Sequence, residues 1–321
     1  MRTKAFMMMA AAALAMAGCS NDNENDNWAG EIRLSSGLTV QQTNPRAATD
    51  IQSTQFDNGE NIDVFINENT TAEQTASTTY TQPLVYKADG NGNMEALDNK
   101  QPYFPASGNG VNIHAYYPSG NVNSIAADAT AVSFSVESDQ SGSTGEKNYK
   151  KSDLMYGRPA QNPVNRTSSQ IPLHFTHLLS KVIITLEAGK GAPSLDGAVV
   201  RLKSVQPSTT LTPSTGAISK ASGTATNITV MTALSSALSG SAIVVPQTLP
   251  ASFIEVKLAD GGVLTSKDLT DSSNNKIDNV VLTSGNVYTY TIKVNLTGLK
   301  VTSTITSWTD NETHSGEAEM Q

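Results

Sequence analysis

Apolar residues in this chain recur in short runs of alternating polarity, and the runs are separated by glycine, asparagine, aspartate and proline. Period-two alternation puts successive side chains on opposite faces of an extended strand. The intervening residues are those that tight turns require. Runs of this kind occupy residues 61–66, after the turn Phe56-Asp57-Asn58-Gly59-Glu60, and residues 84–86, before the hairpin signal Asp89-Gly90-Asn91-Gly92-Asn93. Others lie at 111–118, 131–136, 153–157, 198–205, 242–245, 253–258, 287–294 and 299–308. Residues 171–186 admit a short helix, but their alternation and β-branched end favour one buried strand. Helical periodicity is almost absent, so the expected fold class is all-β, with β-sandwich architecture in each half. The polar, glycine-containing stretch 138–152 reads as a loop. The Pro-, Asn- and Ser-rich stretch 158–170 marks a domain boundary, dividing an N-terminal domain (31–165) from a C-terminal one (166–321).

The amino terminus carries a sorting signal, residues 1–18. Arg2 and Lys4 form a positive region, and residues 6–17 form an apolar run too short to span a bilayer as a helix. It closes on Leu14-Ala15-Met16-Ala17-Gly18, directly before Cys19, the single cysteine of the chain. Small residues before such a cysteine look like a bacterial lipobox, in which the cysteine becomes the lipidated first residue. Met16 departs from the usual branched aliphatic there but keeps its apolar character. A lone cysteine also excludes an internal disulfide framework. Residues 19–30 read as an acidic, asparagine-rich tether. A calcium loop there would need a turn glycine and a terminal glutamate that are missing.

The net charge of −8 becomes −10 once Arg2 and Lys4 leave with the signal. With lysine and arginine scattered rather than clustered, this argues against nucleic acid as a partner. The 16% charged fraction and the abundance of Thr, Ser and Asn suit an extracellular β-protein.

No catalytic motif is present: there is no G-x-S-x-G, H-E-x-x-H or P-loop. Acidic residues are dispersed, so no acid/base pair can be placed. His174 and His177 share a strand three positions apart, so they face opposite ways and cannot share a metal; a structural role at a strand edge is expected. Trp308 suits a sandwich core better than a sugar platform. No enzyme activity, cofactor or metal is expected. A glycan-binding surface lipoprotein is an alternative that needs clustered exposed aromatics, for which Tyr80, Tyr86, Tyr103, Tyr116 and Tyr117 are the first-half candidates.

The first strand pattern is unusual in how it ends. Ile32, Leu34, Ser36, Leu38 and Val40 share one face, and the alternation then gives way to Thr43-Asn44-Pro45-Arg46-Ala47-Ala48. Pro45 holds Asn44 out of helical geometry. Arg46 reads either as a solvated loop charge or as a place where the chain is cut.

Taken in order, several segments resemble the fimbrillin family, the major and accessory pilins of Bacteroidales fimbriae. They are Phe56-Asp57-Asn58-Gly59-Glu60-Asn61-Ile62-Asp63-Val64-Phe65, Ala115-Tyr116-Tyr117-Pro118, Asp153-Leu154-Met155-Tyr156-Gly157, Phe175-Thr176-His177-Leu178-Leu179-Ser180-Lys181-Val182, Val244-Val245-Pro246-Gln247-Thr248, Ser284-Gly285-Asn286-Val287-Tyr288-Thr289-Tyr290 and the run from Leu299 to Trp308. The tether is similar to the acidic segment of surface lipoproteins in Bacteroides-type bacteria. The resemblance implies two transthyretin-like β-sandwich domains, lipid anchoring of Cys19 in the outer membrane, and assembly into a cell-surface fimbria with other subunits. It implies that an arginine-specific surface protease removes the first strand, here by cutting between Arg46 and Ala47, so that residues 31–46 leave. The rival Arg33 is mid-strand. A strand from another subunit would then fill the groove. Burial of Ile32, Leu34, Leu38 and Val40 contributes about 1.5–3 kcal/mol each, so an empty groove forgoes about 6–12 kcal/mol. Leu299, Val301 and Ile305 are the candidate donor strand. Beyond them His314, Gly316, Ala318 and Met320 give a thin apolar row; a weak donor would suit a tip or accessory subunit, and an uncut chain would suit a basal anchor. An adhesive ligand would be a glycan or protein of host or bacterial origin.

Overall fold

The structure, a computed structural model, describes residues 28–38, 56–70, 83–120, 131–142, 148–266, 269–270, 276–295, 298–307 and 314–318. Cys19, Val40, the Arg46-Ala47 bond and Trp308 lie outside the described residues.

The first half supplies β1 (Leu34–Leu38), β2 (Asn61–Glu68), β3 (Leu84–Ala88), β4 (Met94–Ala96), β5 (Val111–Tyr117), β6 (Val132–Ser135), β7 (Met155–Arg158) and β8 (Ile171–His177). All but β6 join one sheet in the order β1-β8-β7-β5-β2-β3-β4. Its pairs are antiparallel except β1 with β8, which run parallel. The sheet curls until its ends meet, since Ser35 of β1 bridges Asn93 in the β3–β4 turn and Glu31 bridges Tyr103. The curl encloses a core that includes Ile32, Leu34, Phe56, Ile62, Val64, Ile113, Leu173 and Phe175. Strand β8 follows strict alternation, with Ile171, Leu173, Phe175 and His177 inside and Pro172, His174 and Thr176 outside.

The second half supplies β9 (Ser180–Ala188), β10 (Val199–Val205), β11 (Ser208–Thr212), β12 (Ala217–Ile218), β13 (Thr226–Thr232), β14 (Ser239–Val244), β15 (Thr248–Pro250), β16 (Ile254–Lys257) and β17 (Val263–Thr265). It continues with β18 (Leu269–Thr270), β19 (Lys276–Ile277), β20 (Asn279–Val281), β21 (Asn286–Asn295), β22 (Gly298–Ser307) and β23 (His314–Ala318). One sheet has the order β14-β9-β21-β22-β23 and a second β13-β10-β16-β17. Val182, Ile184, Tyr290 and Ile292 from the first of these share a core with Val200, Leu202, Ile228 and Val256 from the second. This is sheet-on-sheet packing.

The expected boundary is corrected in two places. The run 171–186 is two strands: the chain leaves β8 after His177, and β9 starts a different sheet at Ser180. Strand β8 therefore completes the first sheet instead of opening the second half. Apolar Leu178 and Leu179 at the crossing hide the break, because both pack against the core. Strand β6 in turn leaves the first half and pairs with β11.

The halves also share side chains. Phe65 and Tyr116 on the outer face of the first sheet, with Tyr156, belong to the second core. Tyr116 donates a hydrogen bond to the Pro213 carbonyl. At Gly216 (φ +72°) a Cβ would sit 2.4 Å from the Tyr156 ring, so the β11–β12 turn approaches that ring with no room for a side chain. A shared core makes unfolding one event. Wild-type protein is expected to unfold in urea with coincident fluorescence and circular-dichroism transitions. Phe65→Ala is expected to lower its stability by about 3–5 kcal/mol; a transition confined to one half would contradict the shared core.

Candidate functional site

The most distinctive local arrangement is the seat of β1. Ile171 N–H donates to the Arg33 carbonyl at 2.8 Å, starting a parallel ladder that runs from Leu34 opposite Ile171 to Leu38 opposite Phe175. Alternate backbone groups of an extended chain point to opposite sides, and those facing away from β8 are also bound. Ile32 N–H donates to Pro102 O at 2.8 Å, Ser36 N–H to Gly92 O at 2.9 Å, and Phe104 N–H to Gly30 O at 2.9 Å. Two glutamine amides reach the remaining carbonyls: Gln101 Nε2 donates to Ile32 O at 2.8 Å and Gln170 Nε2 to Leu34 O at 3.1 Å. Pro172 lies in β8 without disturbing the ladder, because by alternation its nitrogen points away from β1.

Side chains anchor the same segment. Ile32 and Leu34 are 0% and 1% exposed, worth about 3–6 kcal/mol together. Leu38 pairs through its backbone with Phe175. Ser36 is buried on the same face, and its Oγ has no hydrogen-bond partner among the described residues. Arg33 is exposed and pairs with Glu31 at 3.1 Å. Its carbonyl is in the ladder and both neighbours are buried, so a protease cannot take it in extended form without unzipping β1.

The expected tether is shorter than residues 19–30, because Trp28 and Gly30 belong to the folded unit. Trp28 packs against the first core, meets Phe104 edge-on at 6.4 Å, and donates from Nε1 to Glu31 O at 3.1 Å. The Arg166 guanidinium sits over the Trp28 ring, 4.7 Å from its centre. Gly30 adopts φ +100°, and a Cβ there would lie 2.6 Å from Arg166 Nη2. Trp28, Gly30, Gln101, Arg166 and Gln170 carry no local sequence signal for this role, since most of their partners are distant in the chain.

The candidate donor residues lie elsewhere. Leu299 and Val301 are fully buried in the second core, and Ile305 packs against it. All three sit in β22, which is paired with β21 on one side and β23 on the other. His174 and His177 face opposite ways, as the strand reading requires. His174 is exposed and lines a cleft of about 470 Å³ with Tyr156, Arg158 and Gly216. His177 is buried and donates from Nδ1 to Asp153 Oδ1 at 2.8 Å. The aromatic set suggested for glycan capture is not a surface cluster among the described residues: Tyr86, Tyr116 and Tyr117 are buried, and Tyr103 is 44% exposed. Tyr80 lies outside the described residues.

Fold and site together define an all-β protein with a curled first sheet that is completed by its own N-terminal strand. A family model described as fimbrillin-like matches residues 46–308. The chain belongs to the fimbrillin-like family, the class of fimbrial subunits. The matched stretch begins C-terminal to β1. A Bacteroides uniformis protein assigned as fimbrium subunit Fim1C is 24% identical, the alignment covering 96% of each chain. Two solved structures assigned to cell adhesion share the fold with a TM-score of 0.62. One, from Bacteroides uniformis, is 21% identical and covers 87% of this chain and 98% of its own. The other, from Bacteroides ovatus, is 17% identical and covers 91% and 98%.

If β1 fills a real core position, Leu34→Ala should cost about 2–5 kcal/mol, whereas Arg33→Ala should change stability by under about 1 kcal/mol. Urea midpoints of the intact chain check both.

Proposed function

We propose that this chain is a cell-surface fimbrial subunit, exported as a lipoprotein through Cys19, in which β1 is a replaceable strand. An arginine-specific protease cuts between Arg46 and Ala47, β1 departs, and a strand from another subunit takes its seat by β-augmentation. The observation that carries this reading is the double seating of β1 between β8 and residues 92–104. Its loss would leave two unpaired backbone edges and an open apolar slot. Such a slot favours capture of an equivalent strand over remaining empty.

Arg46 suits the cut better than Arg33 for the reason already visible in the ladder. The Arg33 carbonyl is hydrogen-bonded inside the sheet, whereas Arg46 follows a proline in a polar run. The donor would come from a neighbouring subunit, and outer-membrane attachment would persist until the cut releases Cys19 with β1. An uncut chain would remain a membrane-held anchor at the base of the fimbria.

Edman sequencing of the protein recovered from its native cell surface is expected to start at Ala47. A blocked Cys19 with β1 retained would overturn cleavage. In cells, Arg46→Ala is expected to leave the protein as a lipid-anchored monomer, absent from high-molecular-weight fimbrial ladders on mild-detergent gels.

A further inference from the structure

The outer face of the first sheet carries a row of nitrogen-bearing side chains that strand register brings together. Arg158 of β7 lies opposite His174 of β8, and Tyr156 lies opposite Thr176. Paired residues share a face, as do residues two apart in one strand, so all four point outward together. Tyr156 is buried in the second core, whereas Arg158, His174 and Thr176 are exposed. They border the cleft of about 470 Å³, whose facing wall is the β11–β12 turn at Thr215 and Gly216. That wall is fixed in place, because Gly216 rests on the Tyr156 ring with no room for a Cβ. From β5, His114 stacks on Tyr156 with ring centres 6.0 Å apart, and its Nδ1 lies 2.8 Å from the Tyr156 hydroxyl. Burial, and then the nearby Arg158 charge, hold His114 below the ordinary histidine value, so it backs the arginine as a neutral ring.

Charge singles this cleft out. The chain has 29 acidic and 21 basic residues, yet no Asp or Glu lines the cleft among the described residues. Arg33 pairs with Glu31, Arg201 pairs with Glu255 and Arg166 covers the Trp28 ring, but Arg158 has no such partner among the described residues. A guanidinium facing an acid-free concavity is a fork suited to a carboxylate, which it can hold by two parallel hydrogen bonds. The rest of the lining is mixed. Thr176 and Thr215 offer hydroxyls, and Pro159 and Leu178 offer apolar surface. A sugar ring presents the same mixture, hydroxyl edges and C–H faces. The volume falls within the range of small-molecule sites, about 300–1,000 Å³.

We propose that this cleft binds a carboxylated sugar, with Arg158 holding the carboxylate, His174 beside it, and the two threonine hydroxyls meeting the ring. The proposal goes beyond strand replacement and does not depend on it. Strands β7 and β8 and the β11–β12 turn all remain when β1 leaves, and Gly37, the β1 residue opposite His174, adds no side chain to the cleft.

The test is a set of ligand-observed NMR titrations of the full chain with glucuronate, with glucose as its neutral counterpart, and with acetate as the bare carboxylate. Glucuronate is expected to bind, and glucose and acetate are each expected to bind about tenfold more weakly or less. Arg158→Gln should weaken glucuronate binding by about tenfold or more, and Arg158→Lys should weaken it less, since lysine keeps the charge and loses the fork. His174→Gln should weaken it severalfold. Both positions are exposed, so an unchanged urea midpoint would separate a lost contact from a lost fold. Glucose binding as tightly as glucuronate would overturn the role of the charge. Acetate binding as tightly would reduce the cleft to a simple anion site and overturn the sugar. Undiminished binding by Arg158→Gln would place the ligand elsewhere, and no binding of glucuronate at millimolar concentration would overturn the proposal. None of these outcomes bears on strand replacement.

Discussion

A curled sheet has two edges to satisfy, and in the first half of this protein one short strand serves both. Backbone groups of β1 alternate between β8 on one side and residues 92–104 on the other. Its inward side chains close the core between them. The alternation that makes it a strand therefore also makes it a plug: one set of amides holds one edge, the other set holds the opposite edge, and Ile32 and Leu34 fill the space enclosed. The remaining first-sheet strands are arranged around that closure.

The second constraint is that the sheet is covered on its outer face as well. Strand β2 reads Asn61-Ile62-Asp63-Val64-Phe65-Ile66, and its buried run is unbroken from Ile62 to Ile66. Ile62, Val64 and Ile66 face the first core, while Phe65 faces the second. Asp63 is the polar member of that buried run. Burial raises its carboxyl above the ordinary aspartate value, opposed by hydrogen bonds it accepts from Ser119 Oγ at 2.7 Å and Gly120 N–H at 3.2 Å. Together with the crossover of β6 to β11, this doubly buried middle ties the halves together, so that loss of β1 would free the edges it joins and leave the junction untouched.

Where a strand has one wet face, the sequence announces it. Strand β8 alternates without a fault, and the hairpin signal at residues 89–93 falls between β3 and β4. Legibility fails where local chemistry is decided by a distant partner. The break between β8 and β9 is masked because Leu178 and Leu179 continue the apolar character across it. Strand β11, Ser208–Thr212, is Ser- and Thr-rich with Leu211 as its large apolar residue, so it lacks the apolar stripe that marks a half-buried element. At the candidate site the alternation of Ile32 and Leu34 is readable, but the demand for glycine at position 30 comes from a backbone φ of +100°, which no local pattern announces.

Strands β1 and β22 differ in how firmly they are built in, and that difference bears on the proposed strand replacement. Strand β22 pairs with β21 over ten residues in antiparallel register and buries Leu299 and Val301 in the larger core. Its removal would open the second sandwich along its length. Strand β1 pairs over five residues in parallel, a geometry slightly weaker per residue. It also buries the Ser36 hydroxyl without a partner among the described residues, at a cost of about 1–3 kcal/mol. The first sheet keeps β8 bound to β7, and β2 to β3 and β5, without it. The strand that closes the first sheet is thus also one whose loss would leave the sheet's other pairings in place, as the proposed exchange between subunits requires.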